Sequence, residues 1–298
     1  MSPYEAPLAQ VAAERQRQTN LEQIPSFELC RGHRARLTDL VLSVASPEAR
    51  LCVLGAGNCY DLELAVLAEH YQAIHLVDID SDALDRAFER LPPAARSRIV
   101  RHSPVDLSGM LSDLERWRQS SVSLEEVLAL PARTAASVEA SGGGGFDVVL
   151  SACLLTQMQL SILEALSDTH PLFAAARETL NLTHVRTLSR LLSPSGIALC
   201  ATDVTSSHTA PLAELDPNQD LRPLFEQYVA DNNVFHAVHP LRWPMLVRDD
   251  PLLNAEVVVS KPLAVWLWQN SPTLFFLVYV FALRRIQPAP APAAHAMR

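Results

Sequence analysis

The sequence predicts an α/β protein built on a doubly wound, mostly parallel sheet. Short apolar runs recur along the chain, segments with helical periodicity separate them, and a glycine turn follows the first run. Hydrophobic residues supply 49% of the 298 residues and charged residues 19%, as in ordinary globular proteins. Because strands alternate with helices, we expect parallel pairing and right-handed crossovers.

The apolar runs predict strands over residues 50–54, 73–77, 98–102, 145–150 and 197–201. Helical periodicity predicts two helices within residues 2–45, separated near Pro25, and further helices over residues 61–70, 82–91 and 178–192. Residues 264–283 are apolar but interrupted at residues 269–272, so neither half could span a bilayer. We expect this segment to form an antiparallel hairpin at one edge of the sheet.

These elements divide the chain into a helical cap (1–45), one α/β domain (46–286) and a disordered proline-alanine tail (287–298). Two insertions interrupt the domain, at about 107–145 and 205–260. The first is expected to carry a helix near 111–119 or 124–130 and to end in a flexible glycine tether. The second is expected to hold one helix, near 221–232, in otherwise irregular chain.

A formal charge of −9 argues against nucleic acid as a partner, since phosphate binding needs many Lys and Arg side chains. The five cysteines form no C-x-x-C pair, which favours reduced, buried thiols in a cytoplasmic protein. No secretory signal is visible at the N-terminus, and no zinc pattern is present. We expect neither a membrane partner nor a metal; the oligomeric state is not readable.

Glycines flank the turn after the first predicted strand, in the run Gly55-Ala56-Gly57-Asn58. Glycines there let the backbone approach a ligand closely at the carboxyl end of the sheet. A dinucleotide fingerprint would require another glycine at Tyr60, so NAD and FAD are disfavoured.

Two carboxylates follow the next predicted strands. Asp78 could accept hydrogen bonds from ribose hydroxyls, and Asp106 could accept one from an adenine amino group. Each also has a structural alternative: Asp78 could lie on a solvated helix start capped by Asp80 or Ser81, and Asp106 could cap the next helix.

In this order, the motifs resemble the class I S-adenosylmethionine-dependent methyltransferase family over about residues 51–204. The resemblance implies S-adenosylmethionine as cofactor and a seven-stranded sheet with an antiparallel last strand. The cofactor-binding residues it implies are Gly55, Ala56, Gly57 and Asn58 near the methionine part, Asp78 and Ile79 near the ribose, Val105 and Asp106 near the adenine, and Ser151, Ala152 and Cys153 near the sulfonium.

The sequence departs from the family at two positions. Val53 stands where the family often has an acidic residue, and Cys59 stands where it often has a third glycine. Asp61 is a candidate for a compensating polar contact with the cofactor.

Methyl transfer needs a base only when the acceptor must lose a proton. Asp203, after the fifth predicted strand, and His236, in a segment expected to cover the acceptor, are the candidate catalytic residues; each could instead be structural. The fourth strand ends without the Asn/Asp-Pro-Pro-aromatic sequence of methyltransferases that act on amino groups of bases or glutamine. The implied function is therefore methylation of an unidentified acceptor, either a small molecule, which we favour, or a protein side chain. A non-catalytic cofactor-binding or scaffolding protein, or an aminopropyl transferase-like enzyme, is the alternative.

Replacing Asp78 tests the ribose assignment. We expect Asp78→Ala to weaken S-adenosylmethionine binding more than about tenfold, because charged hydrogen bonds contribute roughly 1.5–3 kcal/mol. An unchanged dissociation constant in a folded variant, measured by calorimetry, would mean that the ribose binds elsewhere.

Overall fold

The computed structural model describes residues 7–46 and 48–286, and one mixed sheet of eight strands runs through them. The strands are β1 (Arg50–Leu54), β2 (Ala73–Val77), β3 (Ile99–His102), β4 (Phe146–Ala152), β5 (Leu192–Ser206), β6 (Val257–Val259), β7 (Ala264–Gln269) and β8 (Phe275–Arg285). Their order is β3-β2-β1-β4-β5-β8-β6, and β7 also pairs with β8.

The helices are α1 (Leu8–Glu22), α2 (Arg31–Ser43), α3 (Leu64–His70), α4 (Ser81–Glu89), α5 (Pro93–Arg96), α6 (Leu111–Gln119), α7 (Leu124–Gly142), α8 (Leu155–Leu166), α9 (Phe173–Leu191), α10 (Arg222–Ala230), α11 (Arg242–Asp249) and α12 (Pro251–Glu256). A 3-10 turn at Ile24–Ser26 separates α1 from α2, which confirms the helix break near Pro25. Residues 1–6 of the predicted cap and the predicted disordered tail, 287–298, lie outside the described residues, and the division into domains stays a prediction.

The sheet is doubly wound, as the sequence predicts. β1 pairs in parallel with both β2 and β4, and β3 and β5 continue the parallel pairing outward on either side. Strand order therefore reverses between β1 and β4. In open α/β sheets, ligands bind in the crevice outside the carboxyl ends of the strands at such a point.

Side chains on both faces of this sheet are buried, which explains the unbroken apolar runs. In β1, Leu51 and Val53 pack into one hydrophobic cluster with α2–α5, while Cys52 and Leu54 pack into the other with α1 and α6–α12.

The antiparallel closing hairpin, which adds strands at one edge of the parallel sheet, is confirmed. β8 pairs with β5 on one side, while β6 and β7 pair with successive parts of its other side. The sheet therefore has eight strands, one more than the seven that the family resemblance implies, and both β6 and β7 pair with β8. No helix of the described chain combines the length and apolar composition needed to cross a bilayer.

The first insertion is more helical than predicted. Both candidate segments are helices, α6 and α7, and α7 runs on past Pro131 to Gly142. A capping box between Ser123 and Glu126 begins α7, and packing against α9 lets it continue. The predicted glycine tether, residues 141–145, is therefore wrong for residues 141 and 142, which form the end of α7.

We expected irregular chain in most of the second insertion because prolines interrupt it. Two of these prolines instead lie at the start of helices. Pro223 and Pro251 lie in the first turns of α10 and α12, where the missing N–H costs nothing. The segment also contains α11 and β6, and β5 extends to Ser206.

A buried imidazole in α9 makes stability depend on pH. His184 is 1% exposed, its Nε2 lies 2.9 Å from Ser151 Oγ, and burial lowers its pKa from 6.5 to about 4. Because the folded protein holds the ring neutral, the stability it contributes is complete above pH 6.5 and is lost as the pH falls toward 4.

We expect the stability of wild type relative to His184→Gln to fall by about 2 kcal/mol between pH 7 and pH 5, measured by urea unfolding. The comparison with a variant is necessary because Asp78 and Asp203, whose pKa values burial raises to about 6, act in the opposite direction over the same range. A difference that stays constant with pH would contradict this account.

Candidate functional site

The turn after β1 contains three left-handed backbone conformations, with φ of +71° at Gly55, +46° at Gly57 and +50° at Cys59. A Cβ at Gly55 would lie 2.9 Å from Leu154 Cδ1, and one at Gly57 would lie 2.9 Å from Asn20 Oδ1. Conformation and close approach therefore both require glycine at these two positions. Cys59 adopts the left-handed conformation without being glycine.

Asp78 joins three segments of chain at the end of β2. Its Oδ2 accepts a hydrogen bond from Gly57 N at 2.8 Å, and its Oδ1 accepts one from Asp80 N at 2.8 Å. Its own N–H donates to His102 O at 3.1 Å, and its carbonyl accepts from Val105 N at 3.0 Å. Asp78 is only 3% exposed, so it is not part of a solvated helix start. Burial raises its pKa to about 6, although the backbone N–H groups oppose the shift.

Asp80 supplies the helix cap that the structural alternative proposed. Its Oδ1 accepts from Ala83 N at 3.2 Å, and its Oδ2 accepts from Asn20 Nδ2 of α1 at 2.8 Å. Asp80 therefore starts α4 and also holds α1 over the turn after β1.

Asp106 organises the start of α6. Its Oδ1 accepts from both N and Oγ of Ser108, at 3.0 and 2.6 Å, and its Oδ2 accepts from Leu111 N at 2.9 Å. One acceptor position remains on Oδ2. The helix-capping role and a ligand contact are thus compatible.

A cavity outside the carboxyl ends of β1, β2 and β3, which we call the crevice, brings together five of the predicted cofactor-binding residues: Gly55, Asp78, Ile79, Val105 and Asp106. The rest of its wall comes mainly from α1 and α8 and was not predicted: Ala12, Arg15, Gln16, Leu107, Ser108, Leu111, Leu154, Gln157, Met158 and Ser161. Its volume is about 70 Å³, below the roughly 300–1,000 Å³ of ligand pockets, because α1 and Leu154 lie over the turn.

Helix α1 is the roof of the crevice, and mostly polar contacts attach it. Arg15 Nη2 donates to Ser161 Oγ at 2.9 Å, and the same guanidinium forms an ion pair with Glu164. Leu8 N donates to a carboxylate of α6, and Asn20 donates to Asp80. The only apolar side chains that α1 buries are those of Leu8 and Ala12.

Seven predicted cofactor-binding residues do not line the crevice: Ala56, Gly57, Asn58, Asp61, Ser151, Ala152 and Cys153. Asn58 supports the roof, since its Nδ2 donates to Asn20 O at 2.6 Å. Asp61 lies 3.4 Å from His33 Nε2, and Ser151 faces His184.

Next to the crevice is a second cavity of about 200 Å³, which we call the side cavity. It shares Arg15, Gln16 and Gln157 with the crevice, and its other lining residues are Thr19, Gln23, Cys153, Thr156, Leu160, Asp203, Trp268, Asn270 and Phe276. Cys153 opens into the side cavity and the next residue, Leu154, opens into the crevice. The two cavities therefore meet at the end of β4.

Asp203 is brought to the side cavity, but His236 is not. Asp203 is 5% exposed, its Oδ1 accepts from Thr156 Oγ1 at 2.9 Å, and burial raises its pKa to about 6. His236 lies in a separate open cavity between α9 and α11, where its Nδ1 is 2.8 Å from Arg242 Nη2. The segment predicted to cover the acceptor lines neither the crevice nor the side cavity. No three His, Cys, Asp or Glu side chains form a potential metal site within residues 7–46 and 48–286.

The crowding at Gly55 is testable by substitution. We expect Gly55→Ala to lower the free energy of unfolding by at least about 1–2 kcal/mol, because φ is strongly positive and Leu154 blocks the new methyl group. Gly32→Ala is the matched control, since nothing lies within 4 Å of its added Cβ. Equal effects of the two substitutions on urea unfolding would contradict the account; adding Leu154→Ala should relieve the clash with the Cδ atoms but not the 3.2 Å approach to Leu154 Cβ.

The chain is similar to known proteins in its fold and not in its sequence. No protein-family model and no curated protein matches the sequence. Solved structures that match include magnesium protoporphyrin IX methyltransferase from Synechocystis with bound S-adenosylhomocysteine (10% identity, 87% of this chain and 86% of that one, TM-score 0.42). A putative methyltransferase from Bacillus halodurans also matches, with 10% identity over 86% of this chain and 98% of that one and a TM-score of 0.39. The [4+2]-cyclase SpnF matches with 18% identity over 56% of this chain and 44% of that one and a TM-score of 0.30.

The chain's own strand order carries the fold assignment. Parallel strands wind outward from β1 in both directions, and an antiparallel β8 inserts beside β5, as the family resemblance implied. The chain has the fold of the class I S-adenosylmethionine-dependent methyltransferases.

Proposed function

We propose that this protein is an S-adenosylmethionine-dependent methyltransferase that acts on a small-molecule acceptor. The observation that carries the proposal is the buried carboxylate of Asp78 in a crevice at the point where strand order reverses. A buried carboxylate is costly unless hydrogen bonds satisfy it, and a ligand with paired hydroxyls would complete its set.

The donors and acceptors in the crevice fit an adenosyl group. The N–H groups of Gly57 and Asp80 each reach one oxygen of Asp78 and that of Ile79 adds to them, which leaves acceptor capacity on the carboxylate for a ribose hydroxyl. Val105 offers an apolar contact to the adenine, and Asp106 retains one acceptor position for its amino group. Cys153 and Leu154, at the end of β4, would flank the sulfonium.

Binding requires α1 and Leu154 to move, because the crevice is too small for the whole cofactor as it stands. The contacts of α1 are largely hydrogen bonds and one ion pair, which water can replace at little net cost. We therefore expect α1 to open for the cofactor and to close again over it, excluding water from the methyl group.

The cofactor would supply a methyl group already activated by a positively charged sulfur. The chain would contribute alignment of the acceptor with that methyl group, which can account for much of a rate enhancement. The wall that the two cavities share, formed by Arg15, Gln16 and Gln157, marks the place where the acceptor would meet the methyl group.

A second candidate is a cofactor-binding or scaffolding protein without catalysis. The narrow crevice and the departures from the family at Val53 and Cys59 favour it. Such a protein keeps the fold but binds the cofactor with weakened affinity.

We also propose a cytoplasmic location, because all five cysteines are free and buried. The formal charge of −9 supports a partner other than nucleic acid.

Calorimetry with S-adenosylmethionine and S-adenosylhomocysteine tests the proposal. We expect both to bind wild type and Asp78→Asn to weaken binding by about tenfold or more, because an amide loses the charged hydrogen bonds to ribose. Asp78→Asn is preferred to alanine because it can still accept from Gly57 N.

The matched control is Asp82→Asn, which removes an exposed carboxylate in the first turn of α4. Its affinity should equal that of wild type. Absence of binding heat at millimolar ligand would eliminate the enzyme hypothesis and leave a scaffolding protein of the same fold, and equal losses in the two variants would show that Asp78 acts only through overall charge.

A further inference from the structure

Among the described residues, the one carboxylate that lines the side cavity, Asp203, forms no ion pair with an Arg or Lys side chain, although His33 lies near enough to favour its charged form. Arg15 and Asp203 are the only charged residues among its lining residues, and Arg15 is already paired with Glu164. Asp203 accepts a single side-chain hydrogen bond, from Thr156 to Oδ1. The cavity therefore presents a buried acceptor with negative charge, which favours a ligand that donates a hydrogen bond.

A β-bulge directs Asp203 into this cavity. In the pairing of β5 with β8, Asp203 is opposite Val278 and Thr205 is opposite Leu277, so Val204 is an extra residue in β5. Such bulges bend a strand and re-aim its side chains, and they are over-represented next to active sites. Val204 itself is fully buried on the core side.

The walls of the cavity suit a flat apolar ring. Trp268 and Phe276 belong to the hairpin of β7 and β8, and their ring centroids are 5.3 Å apart at 33°. Leu160 of α8 adds an aliphatic surface. The Trp268 ring is fixed in place, because His33 stacks on it at 4.6 Å and its Nε1 donates to Cys30 Sγ at 3.5 Å. Rigid aromatic walls of this kind bind planar rings.

We propose that the side cavity takes a planar ring compound bearing a hydroxyl group, and that Asp203 accepts the hydroxyl proton during methyl transfer. This inference rests on the proposed function. The hydroxyl oxygen forms a bond to the methyl carbon as the carbon–sulfur bond breaks, and that bond's electron pair stays on sulfur. The hydroxyl proton moves to Asp203 Oδ2 and then to solvent, so the products are a methyl ether, S-adenosylhomocysteine and one proton.

The chemistry of Asp203 favours a hydroxyl over an amine. An ammonium would pair with the buried carboxylate, which raises the pKa of the ammonium and keeps its nitrogen protonated, with no electron pair for attack. A hydroxyl becomes a strong nucleophile only by losing its proton, and burial places the pKa of Asp203 at about 6, near the working range of a general base.

Ligand-observed NMR with S-adenosylhomocysteine present tests the inference on the full chain. The probes are phenol, its methyl ether anisole, which cannot donate a hydrogen bond, and benzylamine, which is cationic. We expect wild type to bind phenol about tenfold more tightly than anisole, and Asp203→Asn to lose most of that ratio. Asp231→Asn, an exposed carboxylate at the end of α10, is the matched control and should keep the ratio.

Three results would overturn the inference: equal affinities for phenol and anisole, tightest binding of benzylamine, or no phenol binding by protein that holds S-adenosylhomocysteine. Each leaves the proposed function standing, whereas failure of S-adenosylhomocysteine itself to bind removes both. If Asp203→Asn does not fold, the ratio in wild type decides alone.

Discussion

The site depends on the buried carboxylate of Asp78. Its two oxygens hold the turn after β1 and the start of α4, and its backbone groups pair with the end of β3 and with Val105. One residue thus fixes the relative positions of three segments that form the floor of the crevice. Burying this charge is costly, as its raised pKa indicates, and the backbone N–H groups that reach the carboxylate offset part of the cost. The same arrangement leaves acceptor capacity on the carboxylate, so in the proposed function the group that organises the floor would also bind a ribose hydroxyl.

The roof of the crevice has a different physical character from the floor. The floor consists of strand ends packed on both faces by apolar clusters, and it cannot yield without loss of core packing. The roof, α1, buries only two apolar side chains and is otherwise attached through Arg15, Asn20 and its first backbone N–H. A rigid floor under a weakly attached roof allows a large ligand to enter a crevice that is nearly closed in this structure.

The sequence was informative where local chemistry determines structure. Apolar runs bounded by glycine or charge located β1 and β2 to the residue, and the three carboxylates that follow predicted strands, Asp78, Asp106 and Asp203, all line one of the two cavities. It failed where a helix lacks a local start signal: α8, which lines both cavities, begins at Leu155 without a side-chain cap from Leu154 and was missed. The predicted helix at 124–130 stops before Pro131, whereas packing against α9 lets α7 continue through it to Gly142. The path of the long insertion is set by tertiary contacts, so no pattern in the sequence could show that His236 lies away from the crevice.

A crystal structure of the protein with S-adenosylhomocysteine would test the central claim most directly. The account predicts that both ribose hydroxyls donate to the two oxygens of Asp78, that the adenine lies between Val105 and Asp106, and that α1 is displaced from its present contacts with Ser161 and Asp80. Electron density for the ligand outside this crevice, or a ribose bound with Asp78 still enclosed by protein alone, would contradict it.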